Sequence, residues 1–216
     1  METLETANKP TTERILEAAE GLFAVQGIRG TSLKEITELA EVNIAAVNYH
    51  FRSKDALVRA VFERSFESLN AERLHMLGEA ENGGGPLTLE RVLRALFEPM
   101  LRAWQTNRNF ILLVGRLQSE PDAELTNHIH GLYVPLIERF LRAARRAAPD
   151  VPENELFFWI HFLFGGVVYT LLNSQDMEKM HPGQNPIDTT EAFLHDLIAF
   201  GTAGLRSRSQ SQPRRS

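Results

Sequence analysis

The chain has 216 residues, 43% of them hydrophobic and 24% charged, with a formal charge of −5 and no cysteine. That length buries a sizeable core in one large or two small domains, and the lack of cysteine excludes disulfide scaffolds, thiolate nucleophiles and cysteine-ligated zinc. The first residues show no basic start followed by an apolar stretch, so a cytoplasmic location is expected, and the net charge argues against wholesale coating of nucleic acid while permitting a local basic patch.

Apolar residues recur at intervals of three and four, and Gly/Pro punctuation separates segments too long for strands, so the expected fold is all-α. The first predicted helix spans residues 12–26, with Ile15, Leu16, Ala19, Leu22 and Phe23 on one face and Gly27 placed to stop it. A second begins at Ser32, where Ser32 and Glu35 make a capping box, and turns Leu33, Ile36 and Leu39 inward. Asn43 caps a short helix from Ile44 to His50. Ser53 caps a long fourth helix in which Leu57, Val61, Phe62, Phe66 and Leu69 lie on or near one stripe.

The run Asn82-Gly83-Gly84-Gly85-Pro86 is the clearest break. A helix rather than a strand precedes it and no Lys-Ser/Thr follows, so it reads as an inter-domain loop and not as a phosphate cradle. Further helices are predicted over residues 87–105, 108–119, 122–147, 153–175 and 189–205, followed by a Ser/Gln/Arg-rich tail, 206–216, expected to be disordered.

Three short helices followed by a long one, the second and third separated by a tight turn, make a helix-turn-helix arrangement. From Val42 to Lys54 the sequence VNIAAVNYHFRSK holds no acidic group. It offers small side chains at Ala45 and Ala46, hydrogen-bonding Asn43, Asn48, Tyr49 and His50, and then the cations Arg52 and Lys54. A helix entering a major groove needs small residues near the bases, donors at its margins and cations at the phosphates. Other roles are open for several of these: Tyr49 and His50 as padding of the junction with the fourth helix, and Lys34 as a partner of Glu38 at i+4. Lys54, in a first turn, opposes the helix dipole and so asks for an external anion.

The segment TTERILEAAEGLFAVQGIRGTSLKEITELAEVNIAAVNYHFRSKDAL resembles the N-terminal domain of the TetR family of transcriptional regulators. The resemblance rests on Ala18-Ala19-x-x-Leu22-Phe23, on Gly27-x-x-x-Thr31-Ser32-Leu33, and on Tyr49-His50-Phe51 followed by Ser53-Lys54. It implies a homodimeric repressor with one helix-turn-helix domain per half-site of a double-stranded operator, here residues 10–57. A larger helical domain for ligand binding and dimerisation, residues 58–205, would follow, with the fourth helix as connector. Carried over to this sequence, Ile44, Ala45 and Asn48 would face bases, and Ala46, Tyr49, His50 and Lys54 the phosphates. Ser32 and Lys34 would face the adjoining groove and phosphates, Asn43 would stand at the interface, and Phe51 would be core. The family usually has Gly where Glu41 stands, and often a second aromatic where Asn48 stands.

In the second half, Phe97, Leu101, Trp104, Phe110, Leu113, Leu117, Leu132 and Phe162 exceed what a bundle stripe requires and are candidate pocket residues, against the alternative of a packed bundle. Arg116, in the apolar run FILLVGRLQ, needs an anionic or carbonyl partner if buried, or reaches Glu120. Residues 156–175 contain no charged side chain. The stretch is near the minimum for a membrane span, but His161, Asn173, Ser174 and Gln175 and the lack of a basic flank favour a helix covered by a partner subunit. Gly165 and Gly166 would permit close approach, with Phe164, Val168 and Leu172 along the seam and Phe193, Leu197 and Phe200 on the companion helix. The segment PDVPENELFFWIHFLFGG, together with NIAAVNYHF, is similar to the family branch that includes fatty-acid-responsive repressors. This implies a long apolar or acyl ligand, with Arg116 as its carboxylate partner and His128 or Tyr169 at its other end.

An enzyme finds little support: the sequence has no Gly-x-Ser-x-Gly, no His-Glu-x-x-His and no phosphate loop, and His128 and His130 do not share a helical face. Neither a catalytic residue nor a cofactor is expected. A metal-responsive protein using His128, His181 or His195 has no ligand spacing behind it. A scaffold that does not bind DNA is the remaining alternative.

Overall fold

A computed structural model describes residues 9–119, 122–183, 187 and 190–211. The described residues form ten helices and no strand: α1 (Thr11–Gln26), α2 (Leu33–Leu39), α3 (Ile44–Phe51), α4 (Lys54–Asn82), α5 (Leu89–Thr106), α6 (Arg108–Ser119), α7 (Ala123–Ala147), α8 (Glu153–Leu172), α9 (Ser174–Met180) and α10 (Thr190–Ser211). They make two compact units, one of residues up to Glu67 with Asn107–Leu132, the other of Ser68–Thr106 with the residues from Tyr133 on. Residues 58–67 and 107–132 belong to the same compact unit as the N-terminal helices.

In the first unit, Ile15, Ala19 and Phe23 of α1, Ile36 of α2, Val47 of α3, Leu57, Val61 and Phe62 of α4, and Leu113 of α6 are fully buried. Full burial of each of these Val, Ile, Leu and Phe side chains contributes about 1.5–3 kcal/mol. One polar cluster lies within this core: Glu20, 3% exposed, accepts from Arg64 at 2.6 Å, from Ser65 at 3.2 Å and from Asn107 at 2.5 Å. Arg64 also pairs with Glu13, so its fork spans two turns of α1. Removing one partner of such a buried pair costs about 3–5 kcal/mol, and the cluster therefore fixes α4 on α1.

In the second unit α10 packs on α5 and on α8. Gly201 permits the second contact, since a Cβ there would lie 2.7 Å from Leu163 Cδ1. Bidentate Arg94–Glu191 and the Arg206–Glu90 pair tie α5 to α10. Arg139 and Arg146 converge on Glu81 at the end of α4. The hydrogen bond from Arg139 holds the Glu81 carboxyl below the usual carboxylate range.

Three sequence expectations are corrected. Leu39 is 60% exposed while Ala40 is buried, because the inward stripe of α2 runs through Leu33, Ile36 and Ala40. The helix predicted over 153–175 breaks at Asn173, and α9 begins anew at Ser174. The last helix continues to Ser211, so 206–211 are helical and not a disordered tail, while 212–216 lie outside the described residues.

Candidate nucleic-acid interface

The helix-turn-helix is set by local capping. The Ser32 hydroxyl accepts from the Glu35 amide at 3.2 Å and the Glu35 carboxylate accepts from the Ser32 amide at 2.7 Å, closing the capping box at the start of α2. The Ser32 bond holds the Glu35 carboxyl below the usual carboxylate range. At the other end, the Val42 amide bonds Thr37 O at 3.0 Å and the Glu41 amide bonds Glu38 O at 3.2 Å. These are the two bonds of a Schellman motif, with Glu41 in the left-handed position at φ 53° that glycine usually fills. Arg14 of α1 braces the turn, donating to Glu41 O at 3.1 Å. Asn43 then caps α3, its Oδ1 accepting from the Ala46 amide at 2.9 Å.

This geometry gives α3 two unlike faces. Val47 and Phe51 are buried against the unit, while Ile44, Ala45, Asn48, Tyr49 and His50 are exposed and Ala46 is half-buried. Tyr49 is 83% exposed, its ring edge-on to His50 with centroids 5.1 Å apart. His50 Nδ1 lies 3.3 Å from Thr12 Oγ1 on α1. Lys54 stands at the first position of α4, after Arg52 at φ 66° and the Ser53 cap. Ser32 and Lys34 are exposed at the start of α2, and Lys34 approaches Glu38 at 3.8 Å. The exposed face of α3 can therefore offer an amide and a phenol beside small and aliphatic groups, with no carboxylate on the helix.

Sequence reasoning missed Arg14, whose partner is a backbone carbonyl remote in sequence. It also missed Val47, although the spacing of Val47 and Phe51 at i and i+4 marked the inward stripe.

The candidate ligand residues are divided between the two units. Phe97, Leu101 and Trp104 are buried on α5 in the second unit. Phe110 and Leu113 (buried) and Leu117 and Leu132 (half-buried) belong to the first. Arg116 is also there, and donates to Ala24 O at 3.3 Å and Val25 O at 2.7 Å. It thereby satisfies carbonyls at the C-terminus of α1 that have no intrahelical partner; its other expected partner, Glu120, lies outside the described residues. His128 Nε2 is 2.8 Å from Glu63 Oε1. Phe162 and Tyr169 are 52% and 62% exposed, so in the single chain they line no enclosed pocket. Tyr133 and His161 meet instead, with Oη and Nε2 3.1 Å apart.

On α8 the exposed stripe is Phe158, Phe162, Gly165, Gly166 and Tyr169. Val168, expected on a dimer seam, is 4% exposed within its own chain, and Phe164, Leu172, Phe193 and Leu197 are half-buried, whereas Phe200 is 60% exposed. By length and composition α8 is the one helix among the described residues apolar enough to cross a membrane. Among the described residues no three His, Asp or Glu side chains gather as a metal site.

Residues 15–61 match the bacterial regulatory proteins of the tetR family, and residues 94–204, just over half of the chain, match the tetracyclin repressor-like C-terminal domain. YttP of Bacillus subtilis (strain 168), a probable HTH-type transcriptional regulator, is 27% identical over 124 residues, 57% of this chain and 58% of YttP. The HTH-type transcriptional regulator AcrR of Shigella flexneri is 36% identical over 104 residues, 48% of this chain and 46% of AcrR. The chain thus spans about half the length of these curated relatives. The structure of the transcriptional regulator FadR from Bacillus subtilis, in complex with stearoyl-CoA, shares the fold: TM-score 0.67 at 13% identity, over 87% of this chain and 97% of that one. With both halves matched, the chain belongs to the TetR family of bacterial regulatory proteins.

Proposed function

We propose that this protein is a cytoplasmic, homodimeric transcriptional repressor that leaves a near-palindromic operator when an apolar small molecule binds. The observation that carries the reading is the outward face of α3, where Ile44, Ala45, Asn48 and Tyr49 are exposed on a helix without a carboxylate and Lys54 follows at the next helix start. In this reading residues 10–57 are the DNA-binding domain, with Ile44, Ala45 and Asn48 toward base edges. Ala46, Tyr49, His50, Lys54, Ser32 and Lys34 face the sugar-phosphate backbone, and Asn43 orders the helix start. Two such helices about 34–36 Å apart would enter successive major grooves.

Residues 58–205 would bind ligand and dimerise. The buried aromatic and aliphatic groups Phe97, Leu101 and Trp104 support an apolar ligand, and the stearoyl-CoA held by the FadR structure supports an acyl one. The exposed stripe of α8, with Phe200, supports a subunit interface, because Phe158, Phe162 and Tyr169 form a contiguous apolar row of the kind that marks interaction sites. Ligand acts only if it binds the two dimer states with different affinity, and α4, which runs on from residues 54–57 of the DNA-binding domain into the ligand domain, is one covalent route by which that difference reaches α3.

The test is operator binding measured against salt. Neutralised phosphates make the logarithm of affinity fall linearly with the logarithm of salt, with a slope of about −0.9 per phosphate. Lys54→Ala is expected to reduce that slope by about 1 per protomer, and Tyr49→Ala to weaken binding uniformly across sequences. Affinity that is indifferent to salt and to both substitutions would contradict the reading and favour a scaffold.

A further inference from the structure

On α4 the positions Phe66, Leu69, Arg73, Leu77 and Ala80 form one inward stripe, and all five are buried. Four are apolar; the fifth is a guanidinium that is 4% exposed. Arg73 Nε donates to Leu96 O at 2.9 Å, a normal hydrogen bond. Its Nη1 reaches Asn70 Oδ1 at 3.4 Å and its Nη2 the Met100 sulfur at 3.8 Å, both weak. A guanidinium has five N–H donors and a fixed charge, and among the described residues no carboxylate pairs with Arg73. Burial alone pushes its pKa down to about 10, so it stays charged at neutral pH. Every other buried charged residue among those described is a glutamate with an arginine partner: Glu20 with Arg64, and Glu98 with Arg94 and Arg102. A buried charge left without a counter-ion is strongly destabilising.

The surroundings of Arg73 bear on which kind of anion it suits. Leu96 and Met100, which Arg73 touches on α5, alternate in sequence with Phe97, Leu101 and Trp104, all buried within the same unit. One cation in an apolar helix interface suits one negative charge on an apolar body. A phosphate-rich head would need further buried cations, and Arg73 is the one buried cation among the described residues. We propose that Arg73 anchors the carboxylate of a free fatty-acid-like amphiphile, through the Nη edge left by the Leu96 bond, with the hydrocarbon chain running among Phe97, Leu101 and Trp104. This rests on the apolar-ligand reading above and transfers to Arg73 the role that the sequence suggested for Arg116.

The experiment titrates the full-length protein with laurate, with the uncharged methyl laurate and with lauroyl-CoA, following binding calorimetrically, and measures operator affinity and thermal melting separately without ligand. Wild type is expected to bind laurate at least tenfold more tightly than methyl laurate. Arg73→Met, which keeps the volume and removes the charge, is expected to lose that preference at unchanged operator affinity. Arg73→Lys keeps the charge but loses the planar fork, and is expected to weaken laurate selectively with methyl laurate unaffected. The lysine variant therefore decides the matter should the methionine variant not fold. Laurate binding untouched by either substitution, no preference for acid over ester in wild type, or tighter binding of lauroyl-CoA with the same dependence on Arg73 would each overturn the anchor. Operator binding in the same preparations shows whether the regulator reading survives that failure.

Discussion

Replacing Glu41 by glycine should stabilise the protein. Glu41 holds φ 53° at the left-handed position of the motif that ends α2, where a β-carbon costs about 1–2 kcal/mol relative to glycine. Glycine gives back about 0.4–1 kcal/mol through the greater freedom of the unfolded chain. The net expectation is a gain of about 1 kcal/mol, which in a chain of this size raises the melting temperature by about 2–4 °C. The bonds that define the turn are made by backbone atoms, Glu41 N to Glu38 O, Val42 N to Thr37 O and Arg14 Nη2 to Glu41 O, and none needs the Glu41 side chain. Operator affinity should accordingly stay within twofold. Calorimetric or urea unfolding at fixed protein concentration measures the effect, with Glu41→Ala as control: alanine removes the carboxylate but keeps the β-carbon and should gain nothing. A loss of stability in the glycine variant, or an equal gain in the alanine variant, would refute the conformational reasoning and point to the charge instead.

Three further outcomes are expected. Asn48→Ala should relax operator preference at one or two base pairs by about 1–3 kcal/mol, read by competition among single-base operator variants, because its amide is exposed on the outward face of α3. Gly166→Arg should leave the protomer folded, since a Cβ there meets no heavy atom within 4 Å, yet shift the protein from dimer to monomer in sedimentation; a dimer of unchanged affinity would remove α8 from the interface. Glu81 is held below the ordinary carboxylate value of 4.5 by Arg139 and Arg146, so its stabilisation is fully present above that pH and is lost as pH falls through the lower folded value. Glu81→Gln should therefore lower stability at neutral pH and flatten the acid limb of a urea stability profile below pH 4.5.

What could be read in the sequence was what short-range chemistry determines. Ser32 with Glu35, Asn43 and Ser53 announce three helix starts by residues that bond their own amides, and the structure has all three caps. The strain at Glu41 was legible as a missing glycine. Long-range partnerships were not. Arg116 looked like a ligand group because nothing nearby in sequence satisfied it, whereas its carbonyl partners lie more than ninety residues away, at the end of α1. Arg73 falls in the i, i+3, i+4 register of Phe66, Leu69 and Leu77, but a charged residue reads as outward until its burial is seen. On α8 the apolar side chains run all round the helix, so the pattern alone has no phase. Only packing shows that Val168 turns inward while Phe162 and Tyr169 turn outward.

The measurement that bears most directly on the central claim is selection of bound fragments from a genomic DNA pool by the purified protein, with and without laurate. The account predicts enrichment of a near-palindromic motif whose half-sites lie about one or two helical turns apart, recovered in lower yield but with the same sequence by Tyr49→Ala and diminished by laurate. Recovery of fragments with no shared motif, at an affinity that does not fall with salt, would contradict it.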